Sequence, residues 1–328
     1  MVSLDRLDGL LLYELDCDAR QSASALSRKL REGRDRVEYR INRLKQEGVI
    51  RKCTAVINPY KLGLTNYKTY LKIENDSKYH NELLQYLKKH RQVYWTSQCD
   101  GHWDVQFGVL SRSPFEFQMV QDEILHRFHR IIMSFNVYTV VNSHYYTKQL
   151  FINRPGRTLE RRDYYYVGGI PETQELSSLD TALLRNLAVE CRTSYSALAR
   201  VVDTTPIVVK YRIDRLIRLG IILGFRIDVD LEKIGISYFK TQLFLKNYDL
   251  KDLDKLKLYC IKVPHIAYYV EQLGECKIEL EIQARGYQEY YTVIDALCDS
   301  FPKLIRNTET THIRREELKP VSSVLQQY

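Results

Sequence analysis

The chain repeats itself, and the repeat limits what it can fold into. Residues 4–69 align with 176–241 at an offset of 172 without a gap, giving 24 identities in 66 positions. Chance at ordinary composition gives roughly 6%, or about four. Matched positions include Leu7/Leu179, Asp8/Asp180, Arg40/Arg212, Arg43/Arg215, Gly48/Gly220 and Gly63/Gly235. A fold is therefore sought for one unit and applied twice.

Within each unit the apolar spacing changes from helical to alternating. Leu7, Leu11 and Leu15 share one helical face, Ser22 through Leu30 begins with serines, and Val37, Ile41 and Leu44 recur at intervals of four and three before Gly48. These spacings predict three short helices, the last stopped by glycine. The second unit repeats them with Leu179/Leu183/Leu187, Ser194 through Val202, and Val209/Ile213/Leu216 before Gly220. Val49 through Ile57 and Ile221 through Val229 are β-rich and suit a short two-stranded wing.

Downstream, each unit reads strand, helix, strand, strand, helix, strand. The segments are roughly 67–74, 79–90, 93–99, 103–110, 115–128 and 131–145 in the first unit. In the second they are 238–246, 253–261, 266–273, 278–283, 287–301 and 304–314. That order predicts a ferredoxin-like βαββαβ sheet with helices on one face. Its other face, read as apolar, is left for pairing. The expected fold class is α+β: a tandem duplication of a winged helix-turn-helix domain followed by a ferredoxin-like domain.

Between the units, Asn153 through Pro171 replaces apolar periodicity with Gly, Pro and charge, as a linker does. Its Tyr164-Tyr165-Tyr166 run reads as linker packed on a domain surface. The expected domains are a first winged head over 1–62, a first α/β domain over 63–151, a linker over 152–173, a second head over 174–234 and a second α/β domain over 235–328. Seven scattered cysteines without a C-x-x-C pair predict reduced thiols, not a disulfide framework or zinc site. No apolar stretch approaches the ~20 residues of a membrane span, and the start lacks a basic leader region, so a cytoplasmic protein without a membrane partner is expected.

The net charge of +8 is not spread evenly. From Arg20 to Lys52 there are eleven Lys/Arg against four Asp/Glu, a local surplus of +7. That stretch includes the third helix, the element that a helix-turn-helix inserts into a major groove. With Val37, Ile41 and Leu44 inward, the residues offered to double-stranded DNA are Arg34, Asp35, Arg36, Tyr39, Arg40 and Arg43, joined by Arg28. Arg34, Arg36 and Arg40 are placed for guanine edges, Arg28 and Arg43 for phosphates. In the second unit Pro206, Ile207 and Val208 replace Arg34, Asp35 and Arg36, leaving Lys210, Tyr211, Arg212 and Arg215. The two heads are expected to read unlike half-sites.

Together these residues resemble the Lrp/AsnC (feast/famine) transcription regulators. The resemblance rests on Leu4-Asp5 with Asp8, on Arg20-x-Ser22, on Arg40-Ile41-Asn42-Arg43-Leu44 with Gly48-Val49-Ile50, and on Asn58 through Gly63. It covers nearly the whole chain, twice, like the double-length archaeal members. It implies a sequence-specific regulator without enzymatic activity, whose α/β (RAM) domains pair. In this chain that pairing would be intramolecular, and a homo-oligomer is also expected. It further implies a small effector, such as an amino acid, near the turn Gly101-His102-Trp103-Asp104, and less clearly near Gly274, where Lys277 replaces the acid. No cofactor, metal or catalytic residue is expected.

The tandem architecture also resembles siroheme decarboxylases, which implies an alternative as an enzyme. Candidate groups for that chemistry are His102, His126, His129 and His144 and some of the 25 tyrosines, but they form no constellation.

Overall fold

Asp5 starts the first helix. Its carboxylate accepts the Asp8 N–H at 2.9 Å, and Asp8 accepts the Asp5 N–H at 3.1 Å, a reciprocal cap that fixes where α1 (Arg6–Cys17) begins. The computed structural model describes residues 2–152 and 164–321. After α1 come α2 (Ala23–Leu30), α3 (Arg34–Gln46), β1 (Ile50–Ile57), β2 (Thr65–Ile73), α4 (Ser77–Lys89), β3 (Val93–Gly101), β4 (Val105–Ser111), α5 (Pro114–Arg127), β5 (Ile132–Tyr146) and β6 (Tyr164–Gly168). The second unit supplies α6 (Ser178–Val189), α7 (Tyr195–Val201), α8 (Pro206–Arg218), β7 (Ile222–Val229), β8 (Ser237–Leu245), α9 (Leu250–Cys260), β9 (Ile266–Leu273), β10 (Ile278–Ala284), α10 (Tyr287–Ser300) and β11 (Ile305–Leu318).

The two heads, α1–α3 and α6–α8, share one apolar core running from Leu11 and Ile41 through Leu183 and Ile213. Each unit contributes one strand of the wing, and the partner strand comes from the other unit: β1 pairs antiparallel with β7, with Cys53 opposite Ile227. Each head ends its third helix on a glycine in the left-handed region, Gly48 at φ 69° and Gly220 at φ 68°, which turns the chain into this ribbon. Gly224 on β7 is needed for a different reason. A Cβ there would lie 2.3 Å from the Tyr165 ring, whose hydroxyl donates to the Cys17 carbonyl at 2.8 Å.

The α/β parts close on each other. Strand order runs β2-β4-β3-β11-β8-β10-β9-β5, and β5 also pairs with β2, so eight strands form a closed ring with β6 added on β5. Closure comes from the two longest strands. β5 pairs with β2 through Thr139 and then with β9 from Thr139 onward, while β11 pairs with β8 and then with β3. Each long strand thus begins in its own unit and ends in the other, and neither sheet keeps a free edge at these joints.

Side-chain alternation decides the two faces. Leu71, Phe107, Leu280 and Ile282 face the helices and build two apolar cores. The inward face departs from the apolar surface expected from sequence. Alternation there brings Lys68 against Glu279 at 2.7 Å, both almost fully buried, and Lys240 against Glu281 at 3.2 Å. Tyr70 also donates to Glu279. Burial pushes the Glu279 carboxyl up, but Lys68 and Lys240 outweigh it and hold it below the ordinary value. Lys68 and Lys240 are a matched pair of the duplication, so the polar interior is built into the repeat.

The expected linker is part structure. Tyr164–Gly168 is strand β6, and 153–163 lies outside the described residues. In that strand's pairing with β5, His144 is buried among Tyr164, Tyr166 and Tyr269, at ring distances of 5.0, 5.3 and 5.9 Å. Burial first, and Lys257 second, lower its pKa to about 4. The unfolded chain takes up a proton near pH 6.5 that the folded chain refuses until about 4. Stability is therefore expected to be full above pH 6.5 and to fall by about 1 kcal/mol per pH unit as pH drops through this window. Urea unfolding at pH 7 and pH 5 checks this, and His144→Phe should remove that part of the decline.

Candidate nucleic-acid interface

Helix α3 stands at the surface because only one of its faces is apolar. Val37, Ile41 and Leu44 are buried, and the opposite face carries Arg34, Asp35, Arg36, Tyr39 and Asn42 into solvent. Tyr39 is 65% exposed and carries its ring and hydroxyl into solvent beside these cations. Arg34 pairs with Glu38 at 3.0 Å and Arg36 with Glu32 at 2.8 Å, both exposed i,i+4 contacts. Such pairs are worth only ~0.3–0.5 kcal/mol. They hold the guanidinium groups loosely enough to exchange onto phosphate or a base edge. Arg28 on α2 is also exposed.

Arg40 and Arg43 are placed differently from the sequence reading. Arg40 donates to Asp8 at 3.1 Å and lies 2.7 Å from Asp5, and Arg43 donates to Asp8 at 2.6 Å. The Asp8 side chain is 1% exposed, so its charge is neutralised inside the head. The second head repeats this: Arg212 and Arg215 reach Asp180 at 3.5 and 3.1 Å. Reading bases from Arg40, or contacting phosphate from Arg43, Arg212 or Arg215, would compete with a buried carboxylate for the same guanidinium group. All four are corrected to residues that fasten the third helix to the first. Asp8→Ala is accordingly expected to destabilise the chain by about 2 kcal/mol in chemical unfolding, leaving two arginines facing an empty site.

The matched pairs of the duplication divide by role. Asp8/Asp180 are buried and held by the half-buried Arg40/Arg212 and Arg43/Arg215, whereas Tyr39/Tyr211 and Arg28/Arg200 are identical and exposed. Sequence reasoning missed Arg200, although the alignment pointed to it. On α8, Lys210 and Tyr211 are exposed beside Ile207, which is 82% exposed. Pro206 opens the helix at its first position and Thr205 caps it, so the altered helix start is well formed but apolar.

The two heads hold each other by a reciprocal contact that sequence reading did not anticipate. Arg20 Nη1 donates to the Cys191 carbonyl at 2.5 Å, and Arg192 Nη1 donates to the Ala19 carbonyl at 2.6 Å. Arg20 and Arg192, and Ala19 and Cys191, are related by the 172 offset. The contact is a two-fold clasp within one chain.

The expected effector turn is occupied by its own neighbours. Gly101 ends β3 at φ 125° with a Cβ position 2.8 Å from the Thr310 carbonyl oxygen, and His102 is exposed. Trp103 is buried edge-on to Tyr70 at 6.1 Å. Asp104, the acid of that turn, accepts Lys72 Nζ at 3.0 Å and the Ile73 N–H at 2.9 Å. Gly274, at φ 141°, faces the Tyr138 ring at 2.6 Å from a would-be Cβ. Both Asp104 oxygens thus hold contacts with the neighbouring strand β2. Among the described residues no three His, Cys, Asp or Glu side chains converge on a metal position, and no helix is long and apolar enough to cross a membrane.

Comparison with known proteins places the heads and the fold separately. Residues 176–222 match the winged helix-turn-helix DNA-binding family. An uncharacterised HTH-type transcriptional regulator of Pyrococcus furiosus is 39% identical over 115 residues, covering 34% of this chain and 77% of that protein. One from Pyrococcus horikoshii is 36% identical over 115 residues, with the same coverage of each chain. Among solved structures, the siroheme decarboxylase NirDL superposes over 98% of this chain and 96% of its own, with a TM-score of 0.65 at 10% identity. That likeness shows a shared fold.

Proposed function

We infer the role of this chain from one premise: it belongs to the HTH-type transcriptional regulators. It is a sequence-specific DNA-binding regulator, Lrp/AsnC-like in its motifs. The finer reading is that it is the double-length form, in which one cytoplasmic polypeptide does the work of a homodimer and catalyses no reaction. Helix α3 reads bases through Arg34, Arg36 and Tyr39, with Arg28 on phosphate. Helix α8 docks through Lys210, Tyr211 and Arg200 and adds apolar contact through Ile207. The observation that carries this reading is the face of α3, where cationic side chains stand free of any buried partner. The clasp between Arg20 and Arg192 and the closed ring of strands hold the two helices at a fixed spacing, so two half-sites about one helical turn (~34 Å) apart can be engaged at once.

Fluorescence anisotropy with duplex DNA at several salt concentrations tests this. Affinity is expected to fall linearly on a log–log scale with a slope reflecting several phosphate contacts. Salt-independent or absent binding would overturn it.

A second reading, as a siroheme-decarboxylase-like enzyme, is favoured by the full-length fold match and by a cavity lined with tyrosines and cations. None of the eight histidines is among the described residues that line that cavity. A Soret-band shift when siroheme is added to the pure protein would support that reading, and an unchanged spectrum would remove it.

A further inference from the structure

One buried charge cluster has no counterpart in the other copy of the duplication, and a cavity opens where that counterpart would lie. In one copy, the Asp16 carboxylate on α1 is fully buried between two cations. It accepts Arg226 Nη2 at 2.8 Å, Arg226 Nε at 3.1 Å and Lys148 Nζ at 3.0 Å, together with the Lys148 N–H at 2.8 Å. Aligning the repeated elements, 172 apart for α1/α6 and β1/β7 and 173 apart for β5/β11, matches Ala188 with Asp16, Thr54 with Arg226 and Val321 with Lys148. Three charged side chains in one half are thus three short or uncharged ones in the other. All three of these counterparts line a single cavity of about 550 Å³, and so do Arg226 and Lys148. It lies between the β1–β7 ribbon, which joins the heads, and the end of the strand ring.

The walls define what fits. Tyr94, Tyr145, Tyr238 and Tyr268 line it, with Tyr145 and Tyr268 facing across the β5–β9 pair at 4.7 Å between ring centres. Flat aromatic walls suit a flat or apolar body. The charge is lopsided: among the described lining residues there are six Lys/Arg and three Asp/Glu. Within the triad, one carboxylate faces two cations, and Arg226 Nη1 is buried without a hydrogen-bond partner among the described residues. Burial also holds the Glu316 carboxyl above its ordinary value, which trims the anionic side further. A buried cation without a full complement of acceptors favours an incoming anion.

We propose that this cavity is a binding site for a small aromatic carboxylate, with the tyrosines around its ring and its carboxylate toward the cationic wall formed by Arg226, Lys148 and Arg315. The volume lies within the ~300–1,000 Å³ of small-molecule sites. Binding here does not depend on the DNA-binding role, so the test uses the full chain without DNA.

Calorimetric titrations with phenylacetate, 2-phenylethanol and 2-phenylethylamine compare an anion, a neutral molecule and a cation of similar size. Phenylacetate is expected to saturate at one per chain and to bind at least about tenfold more tightly than the alcohol, with the amine weakest. Thr54→Trp, on the half-buried ribbon, fills the space and should weaken phenylacetate at least about tenfold while the circular dichroism melt is retained. Arg315→Glu, on an exposed side chain, should weaken it several-fold without touching the buried triad. The proposal falls if phenylacetate does not saturate, if the alcohol or amine binds as tightly, or if folded Thr54→Trp binds like the parent protein.

Discussion

Asp16→Ala is expected to lower the unfolding free energy by about 3–5 kcal/mol, among the largest effects of any single substitution in this chain. The reason is charge and not volume. Burial alone would raise the Asp16 pKa, but Arg226 and Lys148 outweigh it and hold the group at about 2. Without the carboxylate, two cations 5–7% exposed would face each other with no counter-charge. Asp16→Asn should cost nearly as much, since it keeps the shape and loses the charge. A folded pKa below the unfolded one means that this stabilisation is full above the ordinary carboxylate value near 4. It is lost as pH falls toward 2. Urea denaturation at pH 7 for both variants, with the parent followed from pH 5 to pH 2, measures each part. A loss under about 1 kcal/mol for both variants would show that the triad is not holding the first head to the ring of strands.

The second large effect is on DNA. Arg34→Ala with Arg36→Ala is expected to weaken binding to a selected operator by about 2 kcal/mol, roughly 30-fold, while leaving the melting temperature unchanged. Both side chains are more than half exposed and pair only with half-buried surface glutamates, so their removal strips nothing from the core. Arg40→Ala gives the contrasting pattern: stability should fall first, and affinity only as far as the head loosens. Binding isotherms at one fixed salt concentration, run beside melts for the same variants, separate the two kinds of arginine.

That separation shows how far the sequence could be read. The two heads, their buried Leu and Ile faces and the βαββαβ order were legible because each follows from a local period of 3.6 or 2 and from caps at Asp5, Ser22 and Gly48. Arg40 and Arg43 were misplaced because a basic residue on a short helix looks the same from sequence whether it meets DNA or a buried aspartate. The available signal was Asp8, matched by Asp180, lying on the apolar side of α1 where an unpaired acid would be costly. The closed ring and the β1–β7 ribbon depend on pairing between residues roughly 120 to 220 apart, which no local pattern encodes. The Asp16 triad had a clue in the alignment itself: Asp16 falls four residues after the buried Leu12, and its counterpart is Ala188.

Hydroxyl-radical footprinting of the full chain on a selected operator asks the decisive question. One chain per site should protect two segments centred about one helical turn apart, with Arg34→Ala/Arg36→Ala erasing the segment under α3 and sparing the other. Protection of a single segment, a need for two chains per site, or no protection at moderate salt would contradict a duplicated fold that holds two DNA-facing helices at a fixed distance.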